Sequence, residues 1–564
     1  MTMGKPTRAL ITAAALLALA ACGGSKDEGP PADLPASRAE AARFLTQASF
    51  GPTAAEVDRV MALGYRGWID DQLARPASSN RAFWETQDAA VKAADPTNTS
   101  ATIGQDGVYN AFWRHAVSGD DQLRQRMAYA LSQIFVISLQ DGNVGNEPRA
   151  VAHYLDMLGD KGLANYRELI EAVSLHPMMG TYLTSIRNRK ADPRTGRVPD
   201  ENYAREVMQL FSIGLVELND DGSVKQAGGV PKETYGPADI AGLAKVFTGW
   251  SWACADLSNT CFGSGALGGV SDPERSTKPM VGYPQYHAME EKSFLGTTIA
   301  AQGTADPNAS LKTALDTLYN HANVGPFIGR QLIQRFVTSN PSPAYVAAVA
   351  GAFNNNGAGV RGDMKAVLKA VLLNPEARTT SDRSGKIREP VLRLSALLRG
   401  FGYASDSGRY RVGNTDNAGS SLGQTAMRSP SVFNFYPPDY PVPGKPGMVG
   451  PQFGIHNANA ALERLNFLTY LLYWGGSDPA AGVPGAFGTR IDTTPFEADA
   501  ADAAKLVDRL SVLATGAALP TGTRGRIVSA VEAFASSNSA NWQSERARQA
   551  AYLVFATPAF QVQR

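Results

Sequence analysis

Cysteine is scarce, with three residues in a chain of 564. That excludes a disulfide-stapled fold, and an odd number leaves one thiol to explain if the chain is exported. Charge is scarce too. Asp, Glu, Lys and Arg make up 19% of the residues, below the ordinary level of about 25%. The 53 basic and 52 acidic side chains nearly cancel, so the basic footprint of a phosphate binder is missing and nucleic acid is excluded as the main partner. The six histidines are scattered, and no two stand four apart, which removes the helical two-histidine metal pattern. No apolar run beyond the N-terminus reaches the roughly 20 residues that a bilayer span takes.

What is plentiful is apolar material, at 44%, which is enough for a sizeable core and excludes wholesale disorder. Length alone suggests three or four domain-equivalents at about 150 residues each. The 55 glycines and 34 prolines imply many turns and long loops.

Lys5 and Arg8 precede an apolar run from Ala9 to Ala21, the layout of a signal peptide. Its end, Leu19-Ala20-Ala21-Cys22, resembles a bacterial lipobox. The resemblance implies a leader over 1–21, lipid (palmitate included) on Cys22, and anchoring to a membrane by that lipid. With no aspartate after Cys22, the usual sorting rule points to the outer membrane. Residues 22–36 read as a flexible tether, and 37–564 as the folded part. Removing 1–21 takes Lys5 and Arg8 with it, so 53 basic side chains become 51 against 52 acidic ones. The other two cysteines, Cys254 and Cys261, are expected to bridge in an oxidising compartment.

Helical periodicity dominates the folded part. Thr53-Ala54-Ala55-Glu56 reads as a capping box opening a helix that buries Val57, Val60 and Met61. Leu123, Met127, Leu131 and Ile134 mark one buried face. Similar patterns cover about 147–176, 200–215, 237–248, 308–336, 342–354, 362–373, 386–400, 456–474, 499–514, 524–535 and 543–556. The stretches 251–306 and 402–455 lose the period. The fold class expected is mostly α: a large multi-helix domain with two long irregular loop insertions.

Several motifs match by letters alone. Gly419-Ser420-Ser421-Leu422-Gly423 has the nucleophile-elbow spacing, but turn residues precede it where a buried strand is needed. Gly263 through Gly268 lacks the strand and helix of a dinucleotide site. Glu217, Asn219, Asp221 and Gly222 open like a calcium loop, yet Gly228 stands where the bidentate glutamate belongs. No cofactor and no metal are expected.

Asp200 through Phe211 is the most informative segment. Asp200 caps a helix whose stripe of Tyr203, Val207, Leu210, Phe211 and Gly214 is apolar. Asn202, Arg205, Glu206 and Gln209 lie about a turn apart on a neighbouring face. Such a face can bind a polar ligand or join helices through a buried network.

The run from Pro199-Asp200-Glu201-Asn202-Tyr203-Ala204-Arg205-Glu206 to Phe247-Thr248-Gly249-Trp250 resembles the central signature of the bacterial domain-of-unknown-function 1800 family. Further blocks agree: Phe44 to Thr53, Leu175-His176-Pro177-Met178-Met179-Gly180, His287 with Lys292 to Gly296, Lys386 to Leu398, Ser429 to Pro437, and Pro558 to Arg564. One departure is His287-Ala288, where many members carry His-Asp. The resemblance implies an exported, mostly helical protein and brings no established activity. Members are commonly encoded beside a secreted phosphatase-like family, which hints at a shared envelope role.

Two functions follow as expectations. The first is a non-catalytic envelope protein that binds a partner protein or a cell-surface polysaccharide, with Asn202, Gln209 and Lys292 as candidate binding residues. The second is a hydrolase-like enzyme in which Glu201 or Glu206 does acid/base work, positioned by Arg205 and His176 or His287. They part on geometry: the enzyme needs those groups to converge in one open pocket.

Overall fold

The computed structural model describes residues 33–381, 383–474 and 489–564. The leader and Cys22 lie outside them. Twenty-three α-helices occur among the described residues, against six ladders of two short antiparallel strands each. The fold is mostly α.

Local chemistry explains where the helices begin. Thr53 accepts the Glu56 N–H and caps Ala54–Ala74, burying Val57 and Val60 and leaving Met61 partly covered. The reciprocal half of the expected capping box is not made. Glu56 instead accepts from Trp68 Nε1 at 2.7 Å, a bond to a buried ring. That helix kinks at Gly64, whose φ of 75° suits glycine, and a Cβ there would lie 2.7 Å from the Asp33 carboxylate. Leu123, Met127, Leu131 and Ile134 are all buried. Proline occupies the first turn of Pro148–Lys161, Pro237–Val246, Pro307–Asn320, Pro343–Asn354 and Pro390–Gly400, where its missing N–H costs nothing.

One hydrophobic cluster runs from Ala41 to Phe560. Within 251–306 lie the Asn259–Ser264 helix and two hairpins, Ala266–Leu267 with Val270–Ser271 and Lys292–Phe294 with Thr297–Ile299. The Pro237–Val246 helix packs on the second hairpin so closely that a Cβ on Gly242 would lie 1.8 Å from the Ser293 carbonyl oxygen. Strand Val562–Gln563 pairs with Lys386–Ile387, so the expected helix over 386–400 begins only at Pro390. No helix among the described residues is long and apolar enough to cross a membrane.

Candidate functional site

The Asn202–Gln209 helix ends sooner than its periodicity suggested, and its polar face divides. Asp200 Oδ1 accepts the Asn202 N–H at 2.8 Å. Glu201 and Arg205 are both about half exposed and form a surface pair at 3.4 Å. Asn202 is exposed, its amide 3.5 Å from Thr184 Oγ1. Glu206 turns inward and is buried, with Oε2 left without a partner. Burial pushes its pKa up, against the opposing pull of Arg205.

Both histidines are enclosed. His176 Nδ1 accepts the Met178 N–H at 3.2 Å, capping Pro177–Tyr182. A neutral ring then carries its proton on Nε2 and donates it to His153 Nδ1 at 3.0 Å, a tautomer assigned from the hydrogen bonds. The two rings stack, with Tyr154 edge-on to His176. Burial and the adjacent His153 hold the His176 pKa well below the ordinary range. His287 is wholly buried, between the Thr248 carbonyl (2.7 Å from Nδ1) and Ser310 Oγ (3.0 Å from Nε2). Burial lowers its pKa to about 4, although the Thr248 bond works the other way. Lys292 is buried as well, and its Nζ donates to the Glu290 carbonyl and to Gln302 Oε1, each at 3.4 Å.

Cys254 and Cys261 are joined in a disulfide. Asp256 stands beside them within metal-ligand reach of both sulfurs, but sulfurs bonded to each other offer no thiolate.

The structure brings together a group that spacing did not flag. Glu389 is buried, and its Oε2 accepts from Tyr129 Oη (3.1 Å), Gln133 Nε2 (2.6 Å), Gln424 Nε2 (2.7 Å) and Tyr436 Oη (2.7 Å). Burial alone would raise its pKa; Lys386, Arg126 and these donors outweigh that and hold it low. Lys386 Nζ and Arg126 Nη2 both donate to the Arg335 carbonyl, at 2.7 and 2.6 Å. Burial drops the Lys386 pKa to about 7, against the pull of Glu389. Three cations thus surround one carboxylate. Its donors come from the Gln122–Ser132 helix and its C-cap, from the 424 turn, and from the 429–437 segment, where Asn434 holds a φ of 63°.

In front of this network lies a cleft of about 450 Å³ between the Asn202–Gln209 helix, the Val324–Phe336 helix and the 432–439 loop. Gln334 Nε2 ties the helix to the loop through the Pro438 carbonyl at 3.2 Å. Leu215, Val224 and Phe433 are exposed at the mouth, a grouping of apolar side chains typical of recognition surfaces. Gln133, Gln331, Arg335 and Tyr436 line the interior. Gln209 is the one expected site residue on its wall; its Oε1 accepts from Tyr235 Oη at 3.4 Å. Neither His176 nor His287 lines this cleft. Two other depressions, of about 650 and 440 Å³, carry arginines and lysines already engaged with Asp or Glu, among them Arg524 with Asp508 and Arg124 with Asp160.

Of the blocks that line the network, Lys386 to Leu398 was visible in the sequence as part of the 386–400 helical pattern and of the family resemblance, and Ser429 to Pro437 only through the resemblance. Residues 43–562 match the family described as protein of unknown function (DUF1800), and the chain belongs to it. Comparison with curated proteins and with solved structures finds no match in either.

Proposed function

We propose that this member of the family is a binding lipoprotein of the cell envelope with no catalytic centre of its own. In this reading 1–21 is a leader, lipidated Cys22 and the 22–36 tether hold the protein at the outer membrane, and 37–564 is one domain. A partner protein or a cell-surface polysaccharide enters the cleft in front of Glu389; no cofactor is invoked. The observation that carries the reading is the enclosure of both histidines: each has both ring nitrogens engaged inside the fold. A proton shuttle needs a free ring nitrogen within reach of substrate. The exposed apolar mouth and the amide-lined interior support recognition instead.

The alternative is an extracytoplasmic hydrolase-like enzyme. One observation favours it: Glu206 has the raised pKa and the unpartnered oxygen of a general acid. A panel of glycosidase, esterase and peptidase substrates decides between the two, run on wild type and Glu206→Gln alongside circular dichroism. Binding alone predicts no turnover by either protein. Turnover by the wild type that disappears in a folded Glu206→Gln protein overturns it. For the anchor, Cys22→Ala is expected to move the protein from the membrane to the soluble fraction, and retention in the membrane would remove the lipid from the account.

A further inference from the structure

One stretch of surface is strongly basic in a chain whose charges otherwise nearly cancel. Between 187 and 197 stand five basic side chains and a single acid, Asp192, and Asp192 pairs with Arg194 and Arg197. Arg187, Arg189 and Lys190 make no ion pair among the described residues, and both arginines are exposed. At Arg187 the backbone is left-handed (φ 63°), with its N–H on the Trp250 carbonyl at 2.8 Å. From there the side chain reaches the Gly263 carbonyl, 3.3 Å from Nη1. Arg189 lies over the rings of Phe262 and Tyr286, 5.3 and 4.9 Å from their centroids. A ring face supports a guanidinium without neutralising it. The two rings stack at 3.9 Å and belong to a small apolar cluster, separate from the main core and crossed by the Cys254–Cys261 disulfide.

The helix that seats these arginines, Asn259–Ser264, leads into a bare apolar tip. Arg275 Nη1 fastens the helix to the hairpin of Ala266–Leu267 and Val270–Ser271, donating to the Ser264 carbonyl and to Ser271 Oγ, each at 3.0 Å. Gly268 and Gly269 turn the hairpin, and a Cβ on either would meet nothing within 4 Å, so the tip stands in open space. Leu267 is 46% exposed and Val270 73%. Leu267 follows Gly263 by four residues, which puts it at most about 15 Å from the residue that holds Arg187. Asp256 is the one acid between 254 and 271.

Unpaired cations beside a protruding apolar tip supply both parts of a membrane-surface contact, attraction to anionic lipid and apolar burial at the headgroup boundary. We propose that this face docks on an anionic phospholipid surface, with Arg187, Arg189 and Lys190 against phosphates and Leu267 and Val270 inserted beside them. Docking here presupposes the membrane attachment proposed above and is independent of the cleft. With Cys22 in the bilayer, the 22–36 tether makes docking intramolecular, so a contact too weak to recruit a free protein suffices. A soluble polyanion would pair with the arginines but leave the tip in water. An apolar partner protein would leave the arginines without a counter-charge.

The test reconstitutes the full-length protein into vesicles of phosphatidylcholine, alone or mixed two to one with phosphatidylglycerol, and follows amide hydrogen exchange over 266–271. Exchange there is expected to slow at least about fivefold on the anionic vesicles relative to the neutral ones. Arg187→Gln combined with Arg189→Gln, both at exposed positions, should lower the ratio of docked to free protein about 25-fold and restore the neutral-vesicle rate. Val270→Ser, at the open tip, should weaken docking without touching the charges. Equal exchange on both vesicle types, or slowing that persists in the arginine double variant, overturns the proposal. Equal slowing by soluble polyphosphate without vesicles reassigns the face to a soluble partner and overturns it too. Flotation of the same vesicles keeps the anchor separate: failure to float with neutral vesicles removes the lipid on Cys22, while exchange on the anionic vesicles still decides the docking face.

Discussion

Replacing Glu389 by glutamine tests the buried network at its most exposed assumption, that one carboxylate offsets three cations. The perturbation is nearly isosteric, so packing is preserved while the charge is removed. Four donors converge on Glu389 Oε2; an amide offers one oxygen, and its own NH₂ would face at least one of those donors. Arg126 and Arg335 would remain buried without a counter-charge, and Lys386, already at about 7, would lose the carboxylate that helps hold its proton, at a cost of about 3–5 kcal/mol. With about 2.1 cal/mol/K per residue over about 530 residues, the unfolding entropy is about 1.1 kcal/mol/K, so Tm falls by only about 3–5 °C. Urea denaturation reads the free energy more directly and is the assay of choice. Lys386→Met is the informative contrast. Arg126 Nη2 keeps the Arg335 carbonyl satisfied at 2.6 Å when Lys386 is gone, and a like-charge contact is relieved. Its cost is expected to stay below about 1.5 kcal/mol. The sign of the pH dependence follows from linkage. Lys386 titrates at about 7 in the fold and near 10.5 when unfolded, so the unfolded chain binds more protons between those values and stability rises with pH across that window. Lys386→Met should flatten the rise relative to wild type. An equal cost for Lys386→Met and Glu389→Gln, or a rise between pH 7 and 10 that survives unchanged without the lysine, would show that Lys386 is not the group that titrates against this carboxylate.

Acid should destabilise the fold through its histidines. The folded pKa of His287 is depressed from 6.5 to about 4, so its contribution is fully present above pH 6.5 and is lost as pH falls towards 4, about 3 kcal/mol in all. Urea midpoints from pH 7 to 4 check this, and an equally steep acid limb in His287→Asn would assign the loss elsewhere. Gly242→Ala is expected to cost at least about 3 kcal/mol, because its Cβ would sit 1.8 Å from the Ser293 oxygen. Gly263→Ala, where nothing lies within 4 Å, is the control, and equal stability of the two variants would show that the contact relaxes freely.

Most of the longer helices were legible in the sequence because they bury a stripe at 3.6-residue spacing, but Arg38–Ala48, Asn80–Ala94 and Gly104–Ser118 fall in none of the expected ranges. Leu123, Met127, Leu131 and Ile134 are buried as their spacing required. The two-residue ladders were not, since two residues have no period to read. The polar face of 201–209 was half legible. Spacing placed Arg205 and Glu206 side by side, but only packing decides that one faces solvent and the other the interior. The Glu389 network was illegible for a different reason. Tyr129 and Gln133 precede it by about 260 residues and Gln424 and Tyr436 follow it, and no local pattern reports on a contact made only when the chain closes. The resemblance named the right stretches without saying that they meet.

The short ladders have a consequence for how anything can attach to this protein. Every strand among the described residues is two or three residues long and already has its single neighbour. Among the described residues a visiting chain finds no extended rim of free amides and carbonyls to zip onto, so they offer no long edge for strand addition, the mode that recognises backbone and tolerates many sequences. Selectivity in any contact the described residues make then rests on side chains. The same lack of templates among the described residues leaves crowded copies no long edge on which to seed one another.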